Sequence, residues 1–193
     1  QNAAANDESK QFLNTAFVHN PLLDAGGDMG VDANGFSPGM WMSYVNERNK
    51  RQVWRLSGGV FGAGAGANYS RVFSAPLLIA QAETQWPGWN GQRAQMRLYT
   101  WRNGQAAQLD ESTGKHAGWG VSLDQRIGDG VVLFGRYGQR YQGQASFNRA
   151  ATVGAEISGV YWQRGGDTLG VAIGNFPTSR EARLSADEAL AKA

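Results

Sequence analysis

The stretch Arg93-Ala94-Gln95-Met96-Arg97-Leu98-Tyr99-Thr100-Trp101-Arg102 alternates at every step. Successive side chains of an extended strand point to opposite faces, so Arg93, Gln95, Arg97, Tyr99 and Trp101 share one face and Ala94, Met96, Leu98 and Thr100 the other. One face is cationic and polar and the other is uncharged, which is the signature of a strand rather than a helix. The run before it, residues 78–86, sets Gln81, Glu83 and Gln85 against Leu78, Ala80, Ala82, Thr84 and Trp86. Between the two lies Pro87-Gly88-Trp89-Asn90-Gly91, strong turn chemistry. A hairpin is predicted over 78–102.

The same period extends outward in both directions. Residues 40–46 and 52–62 flank the Glu47-Arg48-Asn49-Lys50 turn, with Trp54, Leu56 and Val60 opposing Arg55 and Ser57. Residues 119–126 and 131–140 flank Gly128-Asp129-Gly130. Residues 152–163, with Val153, Ala155, Ile157 and Tyr161 opposite Glu156 and Ser158, precede the Arg164-Gly165-Gly166 turn and a strand over 167–174. About eight strands result. Three segments are expected: a polar stretch 1–35 with one short apolar run at 12–18, antiparallel strands and loops over 36–176, and a helical or disordered tail over 177–193. Thr178 or Ser179 is an N-cap candidate for that tail.

Composition narrows the function classes. A chain of 193 residues with 41% hydrophobic content is too apolar for disorder and has the length of one folded unit. Its 18 basic residues nearly balance 16 acidic ones and are dispersed, so nucleic acid is not an expected partner. Without cysteine there are no disulfides, thiolate metal sites or cysteine nucleophiles, and His19 and His116 are the only histidines. No run approaches the roughly 18 apolar residues of a membrane helix. The start lacks a secretory leader, which fits a processed chain or a piece of a longer one. Glycine, at 27 residues, has about twice its usual share.

Alternating strands suit either a soluble antiparallel sheet on a core or a membrane barrel whose apolar face meets lipid. Trp41, Trp54, Trp86, Trp89, Trp101, Trp119 and Trp162 all fall near predicted strand ends, as an interfacial girdle requires. Ala80, Ala82, Ala94, Ala155 and Gly159 are too small to fill a thick two-sheet interior. Charged residues of both signs, Glu83, Arg93, Arg97, Asp124, Arg126, Arg136 and Glu156, project to one side, which a water-filled lumen tolerates. The expected fold is all-β: an antiparallel transmembrane β-barrel of the outer-membrane type. A sandwich with a solvated outer face is the alternative.

Gly118-Trp-Gly-Val-Ser-Leu-Asp-Gln-Arg126, followed by Asp129-Gly-Val-Val-Leu-Phe-Gly-Arg-Tyr-Gly138, resembles the OprB family of carbohydrate-selective porins, where a strand ending in Asp-Gln leads through a short turn into Leu-Phe-x-Arg-Tyr. Arg164, Asp167, Leu169 and Gly170 are similar to that family's Gly-Arg-x-x-Asp-x-Leu-Gly pattern. Glu83, Gly91 and the Arg97-Leu98-Tyr99-x-Trp101 run resemble a further stretch, so the likeness covers about residues 74–175. The family's members are typically twice this long, with roughly sixteen strands and an aromatic C-terminal strand, whereas this chain ends Glu188-Ala-Leu-Ala-Lys-Ala193. The resemblance therefore implies part of a larger barrel, completed by further chain, by a partner subunit or by closure on itself.

The resemblance also implies passive diffusion of sugars across the outer membrane of a Gram-negative bacterium, with the lipid bilayer, lipopolysaccharide and sugars as partners and no cofactor. A sugar offers hydroxyls at its rim and C–H groups on its faces, which suit charged side chains and aromatic plates. Glu83, Arg93, Arg97 and Tyr99 share one face of one hairpin and are the first lumen-lining candidates, with Gln81, Gln95, Arg126, Arg136 and Glu156 behind them. Trp41, Trp54, Trp86, Trp101, Trp119 and Trp162 are the interfacial candidates. An ion pair between Glu83 and Arg97 that holds only register is an equal reading, and Tyr99 and Trp101 fit a girdle as well as a platform. Asp124 and Arg126, beside a turn, read as structural, as do Arg164 and Asp167, while His116 reads as a solvated loop residue.

No catalytic constellation is expected. Glu83 and Glu156 form a glycosidase pair only if their carboxyls face each other across roughly 5 to 9 Å. Gly62-Ala-Gly-Ala-Gly66 lacks the Lys-Ser/Thr of a phosphate loop. Asp24, Asp28 and Asp32 read as an acidic loop before a calcium site. Three classes stay open: a sugar porin or portion of one, a soluble glycan-binding β-sandwich, and a small outer-membrane barrel serving a secretion or assembly complex.

Overall fold

The computed structural model describes residues 38–49, 51–63 and 74–191. The expectations for the 1–35 segment, including His19 and the three aspartates, and for most of the Gly62–Gly66 run lie outside these residues.

Eight strands form one antiparallel sheet in simple sequence order: β1 (Gly39–Asn46), β2 (Val53–Phe61), β3 (Leu77–Pro87), β4 (Arg93–Ala107), β5 (Thr113–Ile127), β6 (Val131–Gln142), β7 (Arg149–Ser158) and β8 (Thr168–Asn175). The hydrogen-bond register follows the sequence pattern. Glu83 on β3 opposes Arg97 on β4, Arg97 opposes Ser122 on β5, Ser122 opposes Arg136 on β6, and Arg136 opposes Thr152 on β7. Directly opposed residues share a face. The polar parities of all these strands therefore fall on one side of the sheet, and the apolar parities on the other.

Turn chemistry closes the hairpins. Gly128 adopts φ 68 between β5 and β6, a left-handed conformation that glycine takes without cost. Between β3 and β4 the chain makes a short 3-10 turn (Trp89–Gly91), with Asn90 at φ 50. After β7 a second 3-10 helix (Gly159–Trp162) replaces the strand predicted to run to residue 163, so Tyr161 leaves the sheet. The cause is local: Ser158 Oγ accepts from the Val160 amide, and the Gly159 carbonyl accepts from the Arg164 amide, which turns the chain out of the strand ladder. Arg164 Nε lies 2.9 Å from Asp167 Oδ2 across that turn, the structural role expected of this pair.

β5 begins six residues before Trp119, because Gly114 and His116 pair with Ala106 and Asn103 of a longer β4. His116 is consequently a strand residue, only 1% exposed, and not the solvated loop residue that its polar surroundings implied.

The apolar side is strongly exposed. Met42, Tyr44, Leu56, Leu98, Leu123, Leu133, Val153, Val171 and Ile173 all present side chains there, and no second sheet covers them among the described residues. A soluble sandwich would bury this surface, whereas lipid accommodates it.

The polar side carries the core instead. At the end of the sheet where β3 begins and β4 finishes, Leu77, Ile79, Tyr99, Trp101, Ala63 and Ala150 cluster with Phe61 and Phe176 packed against them. Beyond β8, helix α1 (Arg180–Ala191) is fixed at its start. Ser179 Oγ accepts from the Ala182 amide at 3.1 Å and donates to the Ala145 carbonyl at 2.6 Å, tying the helix to the β6–β7 connection.

Candidate functional site

The polar face is organised around a row of charges that crosses four strands. Arg55 on β2 lies 3.9 Å from Glu83 on β3, Arg97 on β4 donates through Nε to Glu83 at 3.0 Å, and Arg97 Nη1 lies 3.7 Å from Asp124 on β5. Signs alternate along the row, so each inner charge has an opposite neighbour. Glu83, Arg97 and Asp124 are largely shielded and Arg55 is half-exposed. Such a row is a fixed field at the sheet surface, because pairing removes the rotamer freedom of side chains that would otherwise sweep the space in front.

The other candidates share this face. Gln95, between Arg93 and Arg97 on β4, accepts a hydrogen bond from Arg93 Nη2 at 2.6 Å and opposes Asp124. Gln81 opposes Tyr99. Arg136 is buried on β6, while Arg126 on β5 and Glu156 on β7 both oppose Val132 of β6. Arg55, Asp124, Ser122, Arg140 and Thr152 complete the face. Asp124 shares this face with Ser122 and Arg126, as its parity predicts, and its contact with Arg97 fits the structural role that its place beside the turn suggests. Arg140 carries the same parity as Arg136.

The aromatic expectations divide. Trp101 is on the polar side, 2% exposed, with its ring centroid 6.0 Å from that of Tyr99 at 28° between planes; it is a core residue and not an interfacial one. The reason lies on the neighbouring strand, where Gly118 and Gly120 leave room for Trp101 and Tyr99 to lie flat; a Cβ at either glycine would strike the ring above it. Trp41 is also on the polar side, over Gly59 and 6.5 Å from Phe61. Trp54 and Trp86 lie on the apolar face, near the β1–β2 and β3–β4 turns respectively. Trp119 occupies the apolar face at mid-strand, 5.5 Å from Tyr137, and Trp162 belongs to the second 3-10 helix.

Glu83 and Glu156 are separated by β4, β5 and β6, four inter-strand steps or about 19 Å of sheet. That exceeds the span of a glycosidase pair, and Glu83 is already held by Arg97. A groove of about 550 Å³ floored by Ala80, Ala82 and Thr100 between Leu56, Leu98 and Trp119 opens on the apolar face, away from every charged candidate.

An open-faced antiparallel sheet with exposed apolar residues on one side and a paired charge row on the other is a wall of a membrane barrel. The model for "Carbohydrate-selective porin, OprB family" matches residues 1–193. The chain belongs to the OprB family. Its place is accordingly the outer membrane of a Gram-negative bacterium. A similar solved structure, "High pH structure of Pseudomonas putida OprB", superposes with a TM-score of 0.68 at 15% identity, covering 94% of this chain and 50% of that one. The chain thus spans about half the length of that OprB structure. No curated protein sequence matches it.

Proposed function

We propose that this OprB-family sheet forms part of the wall of a channel for passive diffusion of carbohydrates, with the charged face turned to the lumen. The observation that carries the reading is the paired row Arg55–Glu83–Arg97–Asp124, shielded at all but its Arg55 end, backed by an exposed apolar face. Paired arginines and carboxylates present donors and acceptors at fixed spacing, which suits the alternating hydroxyls of a sugar rim. Contacts spread over several sites keep residence short, as flow requires. No step of this process needs a catalytic group, so the protein is read as a channel and not an enzyme.

Glu83, Arg97, Gln95 and Arg93 are the proposed inner surface on one hairpin, with Gln81, Arg126, Arg136 and Glu156 extending it. Tyr99 is proposed as a support for this surface, since its ring is buried against Trp101 and Ile79. Trp54, Trp86 and Trp119 are proposed to meet lipid and lipopolysaccharide. Among the described residues β1 and β8 each pair on one side, and such edges in lipid call for further strands or a partner subunit.

Liposome swelling tests the reading. Proteoliposomes are expected to swell in iso-osmotic glucose or maltose and to give open-channel steps in planar bilayers. Protein that inserts and folds but passes neither sugar nor current would sink it, leaving an assembly or anchoring role.

A further inference from the structure

Charge is segregated by face, but the apolar face is not wholly neutral. Across the eight strands its parity carries three charged side chains among the described residues, Arg102 on β4, Lys115 on β5 and Arg149 on β7, and no carboxylate. All three are exposed, and none is held by an ion pair or a side-chain hydrogen bond among the described residues. They stand at one end of the sheet, opposite the hairpin turns at 88–92 and 128–130. Outer-membrane barrels keep their short turns at the periplasmic end, so these cations lie at the outer leaflet.

The register sets them around the groove of the apolar face. Thr100 of its floor directly opposes Trp119 of its side, and the same row runs on through Gln139 to Arg149. Arg102 follows Thr100 by two residues along β4, about 7 Å, and opposes Ala117, while Lys115 lies two residues beyond Ala117 on β5. The Cα atoms of Arg102 and Lys115 are therefore about 8 Å apart, close enough for two long side chains to meet on one phosphate. Beneath them the Thr100 hydroxyl donates to the Gly118 carbonyl at 2.8 Å, so the floor it shares with Ala80 and Ala82 stays apolar. An alkyl chain laid between Leu56, Leu98 and Trp119 gains dispersion contacts on three sides, where a flat sheet face gives them on one. Trp119, with Tyr137 5.5 Å away, stands where the groove gives way to the cations, the level at which a membrane interface favours amphipathic rings.

We propose that this patch holds one lipopolysaccharide molecule of the outer leaflet, with a lipid A phosphate on Arg102 and Lys115 and an acyl chain in the groove. Arg149, three strands from Arg102, is placed for a second phosphate of the headgroup. This rests on the reading that the apolar face meets lipid and lipopolysaccharide, and it is independent of what the lumen passes. The guanidinium of Arg102 matches phosphate oxygens in pairs, and the ammonium of Lys115 adds a point charge. Charge alone draws any anionic lipid to a basic surface; the groove beside the cations is what favours a headgroup with its chain in register.

Native mass spectrometry of the full chain, folded in neutral detergent, tests the site. Diphosphoryl lipid A is expected to be retained as a single copy at concentrations about tenfold below phosphatidylglycerol, and equal retention of the two overturns the proposal. Arg102→Gln/Lys115→Gln is expected to raise the half-binding concentration of diphosphoryl lipid A about tenfold and to leave that of fully dephosphorylated lipid A unchanged. Arg48→Gln/Arg51→Gln removes the same charge between β1 and β2, at the opposite end, and equal weakening by the two pairs would show attraction by net charge and not a site. Ala80→Leu fills the groove and is expected to weaken both forms of lipid A several-fold, whereas Gly135→Leu, on the same face outside the groove, should change neither. Unaltered binding in Ala80→Leu overturns the seating of the chain and with it the proposal. Folded chain that does not insert into phospholipid vesicles would instead count against the lipid-facing reading itself.

Discussion

Arg97 Nε and Glu83 Oε2 meet at 3.0 Å between directly opposed residues of β4 and β3, and both side chains are shielded from solvent. Arg55 approaches the same carboxylate from β2, but at 3.9 Å and with its side chain 47% exposed. The two contacts should differ sharply in weight. Replacing Glu83 with Gln removes the carboxylate to which the shielded Arg97 Nε donates, and is expected to lower the unfolding free energy in detergent by about 2 kcal/mol. Arg55→Gln should change it by less than about 0.5 kcal/mol. The double variant Glu83→Gln/Arg97→Gln should cost clearly less than the sum of its singles. Equal effects of Arg55→Gln and Glu83→Gln would show that the row does not act as described.

Gly120 lies beneath the Tyr99 ring, and a Cβ there would collide with the ring and its hydroxyl carbon. The ring is buried in the apolar cluster and cannot swing away freely. Gly120→Ala is expected to destabilise by about 1–3 kcal/mol through overpacking. Gly135, on the apolar face, has only a Val153 methyl at ordinary contact distance from such a Cβ, so Gly135→Ala should be nearly neutral. Thermal loss of the compact, heat-modifiable species on gels would rank the two.

Strand number and facing were legible because a period-two pattern shows both faces at once. The 93–102 run shows which residues share each face but not the mutual register of the strands, and it is the strand alignment that sets Glu83 opposite Arg97. What the pattern could not show is how far a long aromatic reaches sideways. Trp101 has the composition of an interfacial residue, but its burial depends on Gly118 of another strand, a relation visible only once β4 and β5 are aligned. His116 was obscured for the same reason: a polar sequence reads as a loop until the partner residue, Asn103, supplies its hydrogen-bonding ladder. The charge row was legible in its parity, since Glu83, Arg97 and Asp124 share one face in the sequence pattern, but the contacts that join them follow only from the strand alignment.

Leu98 and Arg97 are neighbours in sequence and opposites in environment. Leu98 is exposed on the apolar face, so Leu98→Arg places a cation in the bilayer and is expected to cost about 2–4 kcal/mol if the site is near the midplane. The yield of folded protein in purified outer membranes should fall accordingly. Gln81→Arg, on the polar face beside Tyr99, should insert at near wild-type yield. Reversal of that order would mean the faces are assigned the wrong way round.

Asp110, in the exposed turn between β4 and β5, accepts hydrogen bonds from the Ser112 hydroxyl and amide. These bonds favour the charged carboxylate and hold its pKa below the ordinary 3.8. A depressed folded-state value contributes stability above the unfolded pKa, and that contribution is lost as pH falls through the folded one. Ser112→Ala removes the larger of the two causes, so the Asp110 carboxyl should titrate at higher pH by NMR. An unchanged titration would mean that the hydroxyl does not hold it.

Ser179 joins the helix to the barrel wall through two bonds of different kinds. Its Oγ caps the first turn by accepting from the Ala182 amide, and its hydroxyl proton goes to the Ala145 carbonyl in the β6–β7 connection, while its own amide donates to the Ser146 carbonyl. Ser179→Ala removes the cap and leaves the Ala145 carbonyl without that donor, an effect of about 1–2 kcal/mol. Because the backbone bond to Ser146 and the bridge between Phe147 and Thr178 persist, the loss should be local. Limited proteolysis is expected to cleave α1 after Arg180 or Arg183 faster in the variant, with the β8 edge and the thermal stability of the sheet little changed. Asp at 179 can still cap the helix but cannot donate to Ala145, so Ser179→Asp should protect the first turn yet loosen the tie to the β6–β7 connection. Equal cleavage in Ser179→Asp and Ser179→Ala would show that the contact to Ala145, and not the cap, holds α1 in place.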